Sequence, residues 1–572
     1  MKSPIYILGT GLSHNGSAVL LKDGRVCVAI EKERLTRVKH DGGNDTQAIN
    51  YCLEAAGIEL QDLSLVVQCA NFELPNPSYY RGERLFAGQD HLKVLNISHH
   101  LAHAYSAVGT APFKECHVMV IDGCGSPLEI YRQLEKETTS ILPKSIVDSR
   151  DMQCEKDSFY HFNGQTLKPL WKDFSVMSHF EEDAISLPTT KHSIGGFYAA
   201  ISHYVFGTMD DAGKLMGLAP YGETGVFKTE AFTFKNASLQ VTDSWKHHFT
   251  NPSTGYDYFK KYFHYYANVA RWAQEQVEKA VIETFKLRLN AFPHHNICYT
   301  GGVALNAVAN AKLLDTGFIK HLYMEPAAAD NGLALGCAYY GWLDYLNMPK
   351  VDHTGNHCFG KCYDAPSLKS LQSLAILKDI RIQQFEDEQA LLEYTAQKLT
   401  KGATVAWFQL GSEFGPRALG HRSILAHPGI EGLKNHINAH IKFREDFRPF
   451  APAILKEKAA AYFEAGRESP YMILIDKTRA DKLDDLKNVT HCDGTARVQT
   501  VDAQWNERFY NLLTEFYQQC GIPVLLNTSL NKRGMPIVET PEEAVDLFLE
   551  TALDVLVIEN TVFEKNTEKR TN

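Results

Sequence analysis

Two stretches of the chain share one pattern, and that pattern limits the possible folds more than any bulk property does. Ile5-Tyr6-Ile7-Leu8-Gly9-Thr10-Gly11 is an apolar run ending in a glycine turn; Ser17 to Leu21 and Val26 to Ile30 follow, separated by the hairpin signal Asp23-Gly24. The result is a three-stranded antiparallel meander. Val118-Met119-Val120-Ile121-Asp122-Gly123-Cys124-Gly125 repeats the strand and its glycine turn, with Leu128 to Tyr131 expected to return beside it. Two such units predict a duplicated nucleotide-binding architecture.

The intervening segments alternate between the two periodicities. Ala48 to Ala56 and Ala267 to Asn290 read as helices, and Ile297 to Thr300 reads as a strand. Val94 to Ile97 is a strand running into Ser98, expected to cap a helix through Ala107. The fold class is therefore α/β. Glu135 to Lys191 is polar and reads as an irregular insertion, and periodicity lapses again between Val351 and Pro366. These breaks predict one domain over 1–355, a linker over 356–375 and a second α/β domain over 376–572. The last contains strand-like runs at 403–408, 523–526 and 555–558 and helical patterns around Ala459, Asn511 and Glu542.

Composition narrows the function classes. With 58 Lys and Arg against 68 Asp and Glu, the net charge is -10, and no polybasic stripe offers a nucleic-acid or membrane footprint. No apolar run approaches the roughly 20 residues of a membrane helix, no secretory signal opens the chain, and several of the 12 cysteines sit inside strand-like runs. A cytoplasmic protein with reduced thiols and small-molecule ligands is expected.

His99 and His103, four apart on a helix, present their imidazoles on one face. That spacing alone also fits a buried histidine pair. Asp122 ends a strand before a glycine turn, and Asp330 follows Pro326 to Ala329, so both carboxylates project toward a cleft; for Asp330 a helix-capping role fits as well. Two His and two Asp suit zinc, iron or manganese. Gly301 and Gly302 lie between a strand and a helix start, where bare amides face phosphates, while Lys214 and Gly217 belong to a glycine-punctuated segment, Gly213 to Gly222. Lys442, Arg444 and Arg448 form a basic run.

Together these motifs resemble the NodU/CmcH/TobZ family of O-carbamoyltransferases. Ser13 to Ala18, Glu31 to His40, His99 to His103, Lys214 to Gly222, Gly301 to Asn306 and Pro326 to Gly336 carry the likeness in the first half. Glu413 to Gly420, Lys442 to Pro452, Asp493 to Thr500 and Asn527 to Ser529 carry it in the second. The resemblance implies a duplicated actin/sugar-kinase-like domain followed by a YrdC-like domain. It also implies carbamoyl phosphate and ATP (with Mg2+) as substrates: a carbamoyladenylate forms in the second domain, and the first passes its carbamoyl group to a hydroxyl of a small secondary metabolite. Carried over by motif, His14 is the acceptor-side base, and His99, His103, Asp122 and Asp330 hold one divalent ion, Fe2+ ahead of Mn2+ or Zn2+. Lys214, Gly217, Gly301, Gly302 and Asn306 meet the nucleotide; Arg417, Lys442, Arg444, Arg448, Arg497, Asn527 and Ser529 meet carbamoyl phosphate and the adenylate.

Four departures touch finer contacts: Asn15 stands where relatives have Asp, Ala212 where an acid is common, and His427 and Gly429 where relatives have Asp and Arg. His353, His357, Cys358 and Cys362 have zinc-like spacing but read as linker residues. Glu31, Glu33 and Asp45, near His14 in sequence, would favour a cationic acceptor. A homodimer is compatible with the reading. A threonylcarbamoyl transferase acting on tRNA and a non-catalytic nucleotide-binding regulator are the rivals; the acidic charge disfavours the first and the intact His14, Lys442 and Ser529 the second.

Overall fold

The computed structural model describes residues 3–43, 46–69, 92–135, 153–176, 193–363 and 380–565. The chain divides into two compact units, Met1–Lys32 with His40–His353, and Glu33–Lys39 with Thr354–Asn572.

In the first unit, β1 (Tyr6–Gly11), β2 (Ser17–Lys22) and β3 (Arg25–Glu31) form the antiparallel meander expected from the hairpin signal. β4 (Leu65–Cys69) and β5 (Val94–Ile97) then add in parallel, giving the order β3-β2-β1-β4-β5. A second sheet contains β6 (Cys116–Ile121), β7 (Gln153–Phe162), β8 (Leu167–Val176), β11 (Asn296–Thr300) and β12 (His321–Met324), while β9 (Phe232–Lys235) and β10 (Ser238–Val241) pair separately. Read outward from β6, the order β8-β7-β6-β11-β12 has the same sense as the first sheet: antiparallel on one side, parallel on the other. The duplication is real.

Its second copy is built differently from the sequence expectation. Leu128 to Tyr131 is not a strand but part of the helix Leu128–Leu134, and the partner of β6 is β7, inside the stretch taken for an irregular insertion. β7 is disguised by its charges. Glu155, Lys156 and Asp157 are buried, and so are Lys172 and Asp173 on β8. Each charge has a partner: Lys156 pairs with Asp173 at 3.1 Å, Arg288 with Asp157 at 3.0 Å, and Lys172 with Glu155. A strand that satisfies its charges internally reads as solvated loop. Residues 136–152 and 177–192 of that stretch lie outside the described residues.

Close helix packing sets the centre of this unit. Helix His99–Thr110 is almost wholly buried and lies against helix Leu333–Tyr340, which packs in turn on β1. A Cβ on Gly336 would sit 1.7 Å from the Ala102 carbonyl oxygen, and one on Gly9 would sit 2.0 Å from that of Ala334. Only glycine permits this approach. Glu325, after β12, ties the same elements: its carboxylate accepts from the Thr110 hydroxyl at 2.5 Å and the Ala327 amide at 3.2 Å.

In the second unit, eight strands form one sheet in the order β13-β22-β21-β14-β15-β20-β16-β19. They are β13 (Ile380–Gln384), β14 (Val405–Phe408), β15 (Arg422–Ala426), β16 (Ala451–Leu455), β19 (Gln499–Val501), β20 (Val524–Ser529), β21 (Val555–Ile558) and β22 (Thr561–Lys565). β17 (Ile475–Lys477) and β18 (Thr495–Arg497) pair apart. Alternation distributes side chains to two cores. Val405 and Trp407 join Leu392, Phe509 and Phe516, whereas Ala406 and Phe408 join Ile437, Val545 and Phe548. Ala459, Asn511 and Glu542 fall in helices, as their periodicity predicts. Glu33–Lys39 belongs to this unit because Arg34 donates to the Gly415 carbonyl at 2.8 Å and Arg37 to those of Pro536 and Ile537, both at 2.8 Å. Of the segment expected as linker, 364–375 lies outside the described residues. Among the described residues no helix is long and apolar enough to cross a membrane.

Gly336→Ala should destabilise the protein by about 3 kcal/mol or more, because a rigid backbone oxygen, not a mobile side chain, occupies the space; denaturant unfolding measures it. Burial raises the Glu325 carboxyl to about 7. The folded state therefore holds a proton that the unfolded state releases above its ordinary pKa, so stability should fall between about pH 4.5 and 7. Glu325→Gln should flatten that part of the stability profile, and an unchanged slope would exclude Glu325 as its source.

Candidate functional site

Helix His99–Thr110 turns both expected histidines inward, and the ends of β6 and of the 326–329 loop bring Asp122 and Asp330 to meet them. One ligand atom from each of the four lies within 4.8 Å of the others, and all four residues are buried. His99 Nε2 is 3.1 Å from Asp122 Oδ2 and 3.5 Å from Asp330 Oδ1; His103 Nε2 is 3.7 Å from Asp330 Oδ1 and 3.9 Å from Asp122 Oδ2. The two Nε2 atoms are only 3.1 Å apart. Two imidazole nitrogens so close must share a proton or direct their lone pairs at one cation, and the carboxylates complete a nitrogen/oxygen set suited to zinc, iron or manganese. The residues present fit a divalent ion. Burial opposes the charged form of His99, yet Asp330 and the hydrogen bond to Asp122 hold it well above the usual imidazole range; His99 in turn keeps both carboxylates below theirs against the effect of burial.

Asp330 does not cap a helix. Ala329 takes the cap position, which frees the Asp330 carboxylate for His99, His103 and His14, whose Nδ1 lies 3.1 Å from Asp330 Oδ2. The Asp330 charge raises His14 to about 9. His14 sits in the β1–β2 turn with its side chain 62% exposed, so Nδ1 faces the cluster while the ring edge is open. Gly42 packs on that turn so closely that a Cβ there would lie 2.6 Å from the His14 Cα, and Asn15 Oδ1 is 2.9 Å from His40 Nδ1. The nearby acids are engaged: Glu31 accepts from Asn331 Nδ2 at 2.6 Å, and Glu33 pairs with Lys39 at 2.6 Å. Asp45 lies outside the described residues.

Of the expected nucleotide residues, Gly301 and Gly302 adjoin the end of β6. Gly301 has φ +91, and a Cβ there would meet the Ile121 carbonyl oxygen at 2.3 Å, so glycine is required. The Gly302 amide donates to Asp122 Oδ1 at 3.0 Å instead of standing bare. Asn306 caps helix Ala307–Asp315 and forms a reciprocal amide pair with Gln274. Lys214 and Gly217 lie in helix Ala212–Leu218, not a loop; Lys214 is ion-paired with Asp211 at 2.6 Å.

In the second unit the basic motif folds inward. Phe443 adopts the left-handed region at φ 50, uncommon for a bulky residue, between the buried Lys442 and the half-buried Arg444. Lys442 Nζ donates to the Ser529 carbonyl at 2.6 Å and lies 3.2 Å from its hydroxyl and 2.6 Å from Asn531 Oδ1. Arg444 donates to Asn438 Oδ1 at 2.8 Å and lies over Phe450. Burial and the neighbouring cations together push Lys442, Arg444 and Arg497 well below their usual ranges and Arg417 down to about 10, with Arg448 contributing in every case. These cations therefore share one neighbourhood. The buried Nε atoms of Arg417 and Arg497 and the Oδ1 of Asn527 lack hydrogen-bond partners. Sequence reasoning missed Glu413, whose Oε1 receives the amides of Leu419, His421 and Arg422 at 2.6, 2.9 and 3.2 Å and so shapes the loop carrying Arg417. A buried carboxylate amid Ser, Gly and Phe was the available signal. Among the described residues His353, His357, Cys358 and Cys362 form no metal cluster; Cys358 Sγ instead meets His421 Nδ1 at 2.9 Å.

The chain matches the family described as carbamoyltransferase N-terminus over residues 6–73 and 86–339, and that described as carbamoyltransferase C-terminus over 396–565. It is 32% identical to the uncharacterized protein sll1178 of Synechocystis over 98% of this chain and 97% of that one, and 30% identical to nodulation protein NolNO of Sinorhizobium fredii over 97% and 79%. It is 29% identical to the 3'-hydroxymethylcephem-O-carbamoyltransferase of Streptomyces clavuligerus over 57% and 59%. Among solved structures, HypF of T. kodakarensis matches 61% of this chain and 49% of its own with a TM-score of 0.38 and 15% identity, too distant to carry an argument. With family matches in both halves and full-length relatives, this chain is an enzyme of the carbamoyltransferase family.

Proposed function

We propose that the protein is an ATP-dependent O-carbamoyltransferase in which the second unit makes a carbamoyladenylate and the first transfers its carbamoyl group to a hydroxyl of a small metabolite. The observation that carries this reading is the cation cluster of Arg417, Lys442, Arg444, Arg448 and Arg497. Burial first, and neighbouring like charges second, disfavour the charged forms of these cations; a multiply charged anion offsets both, and planar guanidinium groups match phosphate oxygens. Carbamoyl phosphate and the ATP polyphosphate both meet that demand. Ser529, beside Lys442, and Asn527, whose Oδ1 lacks a partner, offer neutral polar groups for the carbamoyl amide.

The balance of the first half-reaction is carbamoyl phosphate, water and ATP giving phosphate, pyrophosphate and carbamoyladenylate, with a carbamate oxygen bonded to the α-phosphorus as pyrophosphate departs. This assigns a YrdC-like role to the second unit. In the second half-reaction the acceptor oxygen bonds to the carbamoyl carbon and AMP leaves. A cation held by Asp330 would offset the charge that raises His14, and in its neutral form His14, oriented through Nδ1 by Asp330, takes the hydroxyl proton at its exposed edge. His99, His103, Asp122 and Asp330 would hold a divalent ion, with Fe2+ ahead of Mn2+ or Zn2+, which supplies Lewis-acid polarisation of a bound oxygen. Gly301 and Gly302 keep the turn before Asn306 free of side chains for the adenylate to approach, and Lys214 and Gly217 are assigned to the nucleotide from a separate helix, Ala212–Leu218.

Two experiments test the reading. Purified protein should contain about one divalent transition ion per chain, and His103→Ala should lose the ion and transfer activity together; elemental analysis showing full occupancy in that variant would remove His103 from the centre. Lys442→Ala should suppress carbamoyl-phosphate-dependent pyrophosphate release by roughly 100-fold or more, whereas His14→Ala should still form carbamoyladenylate and fail to transfer it. The division of labour is wrong if supplied carbamoyladenylate does not restore transfer to the Lys442 variant.

A further inference from the structure

The start of helix His99–Thr110 must satisfy amides that have no partner within the helix. Ser98, the residue expected to do so, turns its hydroxyl to Glu135 and caps nothing. Two residues outside the helix take over. The His99 amide donates to Ser126 Oγ at 2.9 Å, and the His100 amide donates to Glu155 Oε2 at 3.2 Å. The same Glu155 oxygen accepts the Ser126 amide at 3.0 Å, while Oε1 takes the ammonium of Lys172. Both members of that ion pair have fully buried side chains.

β7, which carries Glu155, reaches the ligand set from a second direction. The carbonyl of Lys156 accepts the Asp122 amide at 3.2 Å, and Ser158 Oγ lies 2.7 Å from His100 Nδ1. One strand therefore fixes the backbone of Asp122 directly and that of His99 through Ser126. Gly125 makes room for the connection: a Cβ there would lie 2.8 Å from Glu155 Oε2 and 2.7 Å from the His100 ring. A buried ion pair is a weak source of stability, since apolar residues of equal volume often serve as well. Its carboxylate does what they cannot, which is to accept two amides at the joint between ligand-bearing segments.

We propose that Glu155, held by Lys172 and bridging Ser126 to His100, is a positioning residue that sets the spacing of His99 and Asp122 and thereby the metal affinity of the centre. The inference rests on reading the four-residue cluster as a metal site. It is tested on the full-length protein by competition with a chromophoric chelator for Mn2+ and Zn2+, with the melting temperature of each metal-free variant recorded alongside. Glu155→Leu combined with Lys172→Met should fold and bind metal about 10–100-fold more weakly, the usual cost of losing a group that orients ligands. Glu155→Gln with Lys172→Met retains the acceptor oxygen and should stay within about 3-fold of the parent affinity. Ser126→Ala, which removes only the acceptor for the His99 amide, should weaken binding without lowering the melting temperature in proportion, and it decides the matter if the Leu/Met variant fails to fold. Parent-like affinity in a folded Leu/Met variant or in Ser126→Ala overturns the proposal, as does equal loss in the Gln/Met and Leu/Met pairs. If the parent itself binds neither ion, it is the metal reading that fails.

Discussion

Asp122 and Asp330 lie buried, each within 4 Å of the same two imidazole nitrogens, an arrangement that carries a large desolvation cost. Two carboxylates in one dry pocket repel each other unless positive charge stands between them. A protonated His99 supplies part of that charge in the metal-free protein, and a divalent ion would supply it in full. The surrounding fold is organised to keep these four groups from relaxing apart. Gly9 and Gly336 bring helices and strand into backbone contact, Glu325 ties Thr110 to the Asp330 loop, and the Gly302 amide holds the second oxygen of Asp122.

The second unit poses the opposite electrostatic problem. Here the excess charge is positive: Glu445 divides itself between Arg533 at 3.0 Å and Arg448 at 3.9 Å, while Glu413 accepts three backbone amides. Mutual repulsion among Arg417, Arg444, Arg448 and Arg497 is a cost carried by the folded state, and a dianionic ligand relieves it on binding. One unit thus gathers two buried acids around imidazoles, and the other gathers more cations than acids. The anions of the proposed reaction would relieve the second of these.

Much of this was legible in the residues, and the failures have physical causes. The meander at β1–β3 followed from alternation and Asp23-Gly24, because turn chemistry and hydrophobic period agreed. The four cluster residues were legible because each sits where helix spacing or a strand end determines its direction. β7 was not legible, because Glu155, Lys156, Asp157 and Ser158 imitate a solvated segment until their partners on β8 and in helix Phe263–Ala291 are known. Ser98 misled for a related reason: a good capping residue beside a buried carboxylate found a better partner. The place of Glu33–Lys39 in the second unit rests on arginine bonds to carbonyls some 380 and 500 positions away, which no local pattern announces.

The same reasoning bears on the acceptor. Acids clustered near His14 in sequence suggested a field that would draw a cationic metabolite, but Glu31 is buried against Asn331 and Glu33 is neutralised by Lys39. The carboxylate that does reach His14 is Asp330, and it is shared with the ligand cluster. Glu31 and Glu33 are therefore both engaged by partners of their own. What this turn provides is a ring fixed at one nitrogen and open at its other edge, a geometry suited to a hydroxyl group whatever the charge on the rest of the molecule.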